Sequence, residues 1–160
     1  MMDQLDFRLL RILQDDGRIT ISNLSKQLAL SRPSVTERLN RLREKGIIEG
    51  FTARVCPRAV GRNIVVFIQL SNFKTASGAE FEKKIMNDPD IIEIHRLTGP
   101  VSYLLKAAVP GMEQLNDIIE RLNPYGNVNT SIVLSSPMPS NPISPVEEDI
   151  SIDYQTGTKN

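Results

Sequence analysis

Residues 31–46 read SRPSVTERLNRLREKG, and their order decides what the segment becomes. Ser31 is a strong helix N-cap, and Pro33 falls in the first turn, where its missing N–H costs nothing. Val35, Leu39 and Leu42 recur at i, i+4 and i+7 as one buried stripe, and Gly46 closes the helix as a C′ residue. Upstream, Leu5, Leu9, Ile12 and Leu13 predict a helix over about 4–14 behind Asp3, stopped by Asp16-Gly17. Thr20 caps a second short helix with Ile21, Leu24 and Leu28 inward, ending near Ala29-Leu30. Two short helices, a turn of about three residues and a longer capped helix make a helix-turn-helix.

What the third helix carries outward points to its use. Arg32, Ser34, Thr36, Arg38, Asn40, Arg41 and Lys45 lie off the apolar stripe, opposed by Glu37 and Glu44. Guanidinium groups suit guanine edges and phosphates, while hydroxyls and amides suit base edges and backbone. In this geometry the N-terminal residues reach bases, so Arg32, Ser34, Val35 and Arg38 are the base-facing candidates. Arg41, Arg43 and Lys45 are phosphate anchors, Arg18 reaches backbone from the preceding turn, and Ser31, Pro33 and Thr36 complete the expected DNA-binding set. A solvated basic helix of a protein-interaction module has the same pattern, because charged outer faces are ordinary.

Total charge adds nothing, since 19 Lys and Arg face 19 Asp and Glu in 160 residues. Its distribution does. Residues 1–62 hold 12 basic and 7 acidic side chains, residues 63–136 hold 6 and 8, and residues 137–160 hold 1 and 4. A basic first third before an acidic remainder fits a nucleic-acid-binding module joined to a different domain. The longest apolar run, Ile64–Ile68, is five residues, whereas a membrane helix needs roughly 20. Neither a membrane nor a secretory reading is expected. One cysteine, Cys56, and one histidine, His95, leave no disulfide and no Cys/His zinc cluster, so a reducing, cytoplasmic setting and no cofactor are expected.

Past Gly46 the period changes to two, with Ile48, Phe51, Ala53 and Val55, predicting one or two strands as a wing or connecting β-segment. Cys56, at its end, is expected as a small packed side chain. Then Ile64–Leu70 reads as a strand, Ala79–Asn87 as a helix with Phe81, Ile85 and Met86 inward, and Ile91–Leu97 as a strand. Gly99-Pro100 is a turn, Val101–Val109 a third strand, and a helix follows with Met112, Leu115, Ile118, Ile119 and Leu122 on one face. Val128, Thr130, Ile132 and Leu134 alternate in a last strand. The order is βαββαβ, a ferredoxin-like α+β sandwich. Its open sheet face suits burial against a second copy, and a two-fold dimer presents two helix-turn-helix units to one DNA site. The expected domains are a winged helix-turn-helix (1–56), a linker (57–63), an effector and oligomerisation domain (64–136) and a Pro-rich acidic tail (137–160). That tail carries Pro137, Pro139, Pro142 and Pro145 before Glu147-Glu148-Asp149, a composition for extended, solvated chain or for docking on a neighbour.

Leu5-Asp6, Leu9, Ile12-Leu13, Asp16-Gly17-Arg18, Leu24, Leu28, Ser31-x-x-Ser34-Val35, Arg38, Leu42, Gly46-Ile47-Ile48 and Gly61 together resemble the Lrp/AsnC, or feast/famine, regulators. The resemblance covers about residues 3–136. It implies a sequence-specific DNA-binding transcriptional regulator of amino-acid transport or metabolism genes, a repressor among the outcomes. It also implies a homodimer that assembles into tetramers or octamers. An architectural DNA-compacting protein is the alternative. By the same resemblance an amino-acid effector lies at the turn between the second and third sheet strands, here Gly99, Pro100, Val101, Ser102 and Tyr103. The family commonly has an aspartate where this chain has Ser102, so the usual partner for a ligand ammonium is missing. His95 and Glu93 share a strand face, as partly exposed sheet residues do, and no phosphate loop or nucleophile elbow marks an enzyme.

Overall fold

The computed structural model describes residues 2–74, 78–138 and 140–146, in two compact units. Among the described residues the first holds 2–53, 138 and 140–146. Its helices are α1 (Gln4–Asp15), α2 (Ile21–Leu28) and α3 (Arg32–Glu44). Asp3 and Asp6 cap α1 reciprocally: the Asp3 carboxylate accepts the Asp6 N–H at 2.8 Å and the Asp6 carboxylate accepts the Asp3 N–H at 3.2 Å. Thr20 accepts the Asn23 N–H to start α2, and Ser31 accepts the Ser34 N–H to start α3. Gly46, at φ 68°, takes the left-handed step after α3. Helices of 8–13 residues are marginal alone, so packing holds them. Leu9, Leu24, Leu28, Val35 and Leu42 form a fully buried core, each contributing roughly 2 kcal/mol.

The alternating segment 48–55 does not become strands. Ile48 packs against the helical core, but Phe51 and Val55 stand half or more exposed and no sheet ladder includes them. Period two gives a chain two faces; a strand also needs a hydrogen-bonding neighbour. Among the described residues of this chain none is supplied. Cys56 is exposed rather than packed, because the chain turns there into a 3-10 turn, Arg58–Val60.

The second unit, Arg54–Pro137, is a four-stranded antiparallel sheet with two helices. Its elements are β1 (Ile64–Ser71), α4 (Gly78–Ile85), β2 (Ile91–Arg96), β3 (Val101–Val109), α5 (Met112–Leu122) and β4 (Asn127–Ile132), in spatial order β2-β3-β1-β4. Ile68 lies opposite Leu105 on one side and Thr130 on the other. That is the βαββαβ arrangement expected from the pattern. Val66, Ile68, Leu70, Leu105, Ala107 and Val109 point to the helix side and meet Phe81, Ile85, Leu115, Ile118 and Leu122. The linker end is fixed to the sheet, since the Arg62 guanidinium donates to Asp90 and to the Ala108 carbonyl.

Met86 and Met112, expected inside, are exposed, and Leu134, expected in the last strand, lies outside it. Met86 follows the end of α4, which stops at Ile85; Met112 sits in the first turn of α5; and Leu134 lies beyond β4. Each falls at or beyond an end of its regular element, where the apolar stripe no longer projects onto the core. Residues 133–138 and 140–146 form neither helix nor strand, and the acidic run at 147–149 lies outside the described residues.

Candidate nucleic-acid interface

The first turn of α3 is organised by its own hydroxyls. The Ser31 and Ser34 oxygens lie 2.9 Å apart, and Arg32 donates from Nη2 to the Ser22 hydroxyl of α2 at 3.0 Å. Thr36 donates its hydroxyl to the Arg32 carbonyl one turn back. Arg32, Pro33, Thr36, Glu37 and Asn40 are exposed and line a shallow open depression along the helix. Arg43 and Lys45 are exposed at its far end, and Arg18 is exposed in the turn between α1 and α2.

Two of the expected DNA-contacting arginines are otherwise engaged. Arg38 Nη1 donates to both Asp3 oxygens, at 2.8 and 2.7 Å, and to Asp6 Oδ1 at 2.8 Å. Arg41 Nη2 meets both Asp6 oxygens, at 2.9 and 2.8 Å. Asp6 is only 1% exposed, so its charge is compensated entirely by these arginines and the Asp3 N–H. The Asp6 N–H, then the Arg38 guanidinium, hold the Asp3 carboxyl below the usual carboxylate range; Asp3 and Asp6 hold the Arg38 guanidinium above its own. The four groups clamp the N-terminus of α1 onto the middle of α3. Composition hid this clamp, though a signal existed: Asp6 lies three residues before Leu9 on the core stripe, where an acid requires a cation.

Val35 cannot read a base. It is fully buried against Leu9, Leu24 and Leu42, as its place on the i, i+4, i+7 stripe requires.

In the second unit the turn between β2 and β3 is tight and open. Leu97 N–H donates to the Ser102 carbonyl at 2.9 Å, and Gly99 takes φ 96°, which an L side chain resists. Thr98, Gly99 and Pro100 are exposed, and Val101 and Ser102 half-buried. Tyr103 does not join them. Strand alternation sends its ring to the helix side among Phe73 and Phe81, and its hydroxyl donates to Glu82 at 2.8 Å. Burial, then that carboxylate, push its phenol pKa up. On the opposite sheet face Glu93 accepts from Lys106 at 2.7 Å and lies 3.4 Å from His95, an exposed cluster whose carboxyl Lys106 holds low. Among the described residues no group of His, Cys, Asp and Glu is placed to hold a metal, and no helix is long and apolar enough to cross a membrane.

Two family models match this arrangement: a winged helix-turn-helix DNA-binding family over residues 2–49 and the Lrp/AsnC ligand-binding domain over residues 63–143. The chain is 35% identical over 135 residues to the HTH-type transcriptional regulator YezC of Bacillus subtilis, covering 84% of this chain and 95% of that one. The chain belongs to the Lrp/AsnC family of transcriptional regulators. The structure of B. subtilis LrpC superposes with a TM-score of 0.82 at 28% identity, over 88% of this chain and 99% of that one. A transcriptional regulator from Neisseria meningitidis in complex with L-Met has a TM-score of 0.82 at 26% identity, over 89% and 96%. The Lrp/AsnC relatives are DNA-binding transcriptional regulators, not enzymes.

Proposed function

We propose that this Lrp/AsnC regulator is a sequence-selective DNA reader whose base contacts come from Arg32, Ser34 and Thr36. Arg18, Arg43 and Lys45 hold phosphates, with Ser31 and Pro33 setting the approach of the helix end. The observation that carries the reading is the clamp of Asp3 and Asp6 on Arg38 and Arg41. It fixes the orientation of α3 and leaves the exposed N-terminal half to meet base edges. Arg38 and Arg41 are positioning residues here rather than direct contacts. A second copy covers the open sheet face around Phe67 and Leu104, giving a dimer in the cytoplasm with two reading helices, and higher assemblies stack such dimers.

The effector is a small amino acid held by backbone groups at Gly99–Val101 and by the Ser102 hydroxyl. The L-Met complex of the Neisseria relative supports that class of ligand. The regulated genes are those of amino-acid transport or metabolism. A second reading, DNA compaction through backbone contacts, is favoured by one observation: half of the four α3 guanidinium groups are committed to aspartates.

The test is fluorescence anisotropy on a duplex from the gene's own upstream region and on a scrambled duplex, with and without amino acids. A preference of about a thousandfold for the native duplex establishes the reader. Equal, salt-sensitive binding to both establishes the compacting protein.

A further inference from the structure

We infer that the outer face of α1 is a docking site for an extended peptide, and that its occupant is the chain's own segment 141–145. The segment reads Asn141-Pro142-Ile143-Ser144-Pro145. It runs beside α1 and forms one wall of an open cleft of about 420 Å³ whose other wall includes Phe7, Arg8, Arg11 and Gln14. Recognition is by backbone. The Gln14 carboxamide donates from Nε2 to the Ile143 carbonyl at 3.0 Å and accepts the Ile143 N–H at Oε1 at 2.8 Å, as a neighbouring strand's peptide group would. Its remaining N–H reaches back to the Leu10 carbonyl at 3.3 Å, which orients the amide, and every donor of the group is then in use.

The segment is built for this contact. Pro142 and Pro145 fix φ on either side and bring no N–H, so little freedom is lost on docking and Ile143 offers its N–H between them. The Ile143 side chain points away, 80% exposed, while Pro145 and Phe7 are half-buried. A site that reads backbone between two prolines selects conformation rather than the side chain at the middle position.

The consequence lies in connectivity. The chain leaves the helical unit after Ala53, builds the sheet unit, and returns to the helical unit at Met138. Docking at Gln14 therefore turns the C-terminal segment into a strap, covalently continuous with the sheet unit and held to the helical unit by hydrogen bonds.

Amide hydrogen exchange on the full-length protein tests this. The Ile143 amide is expected to exchange about tenfold more slowly in the wild type than in Gln14→Ala, the scale of one or two net hydrogen bonds. The amides of Leu9 and Leu42 should be unchanged, showing that the helical unit stays folded. An unprotected Ile143 amide in the wild type, or one equally protected in Gln14→Ala, overturns the docking. Mixed oligomers assembled from separately expressed light wild type and 15N-labelled Gln14→Ala then separate own-chain from neighbour docking. Docking on the own chain leaves every light segment protected and every heavy one unprotected. Mixed protection within each isotope population places the segment on a neighbouring copy and overturns the own-chain strap.

Discussion

Arg41 reaches across from α3 and holds both carboxylate oxygens of the buried Asp6 on α1, at 2.9 and 2.8 Å. Because Arg38 shares the same carboxylate at 2.8 Å, the orientation of the reading helix depends on one acid in the core. Asp6→Asn keeps the size and removes the charge. It should lower stability by about 2 kcal/mol, the range of hydrogen bonds to charged groups, read as a lower urea midpoint at unchanged m-value. An unchanged midpoint would show that the two arginines do not depend on Asp6.

Asp3 links the same clamp to pH. Its carboxyl pKa is depressed in the folded state, so the stability it adds is complete above its ordinary value near pH ~4 and is lost as pH falls below that. Thermal melts should show the wild type losing stability through that window more steeply than Asp3→Asn. Parallel curves for the two proteins would refute the coupling.

Ala29 ends α2 in the left-handed region at φ 53°, a conformation in which a Cβ crowds the following carbonyl. It is exposed, so no packing is lost on removing the methyl. Ala29→Gly should stabilise the helical unit by roughly 1 kcal/mol, less what glycine adds to unfolded-chain entropy. A calorimetric melting temperature that falls instead would show that the turn carries no strain.

Tyr103 and Ser102 are neighbours with opposite assignments. Tyr103→Phe removes the bond to Glu82 inside the sheet unit and should cost about 1 kcal/mol of stability without altering any amino-acid response. Ser102→Asp places a carboxylate at the turn and should tighten amino-acid binding by about tenfold, the scale of one charge-assisted bond. Isothermal titration with L-Met and L-Leu checks both. A response lost in Tyr103→Phe would return Tyr103 to the ligand site.

Much of this molecule was legible in its sequence because local chemistry and long-range packing agree. Caps at Asp3, Thr20 and Ser31, the stop at Gly46, and the order of the βαββαβ half follow from capping side chains, period, proline and glycine. What was not legible depends on partners. The alternation at 48–55 carries no information on whether a neighbouring strand exists. An outward arginine such as Arg38 looks the same in one dimension whether it meets a phosphate or an aspartate 35 residues away. Val35 shows a different error: its spacing already placed it in the core, and assigning it to bases as well asked one side chain to face two ways.

Arg32 as the base reader and Arg43 as the backbone anchor respond differently to sequence and to salt. The most direct measurement is the ratio of affinities for the native upstream duplex and its scrambled control, taken for the wild type, Arg32→Ala and Arg43→Ala across a salt series. Arg32→Ala should lose about 1–3 kcal/mol on the native duplex alone, so that the ratio collapses. Arg43→Ala should weaken both duplexes alike and reduce the salt slope by about one. Equal losses on both duplexes for Arg32→Ala would contradict base reading by Arg32.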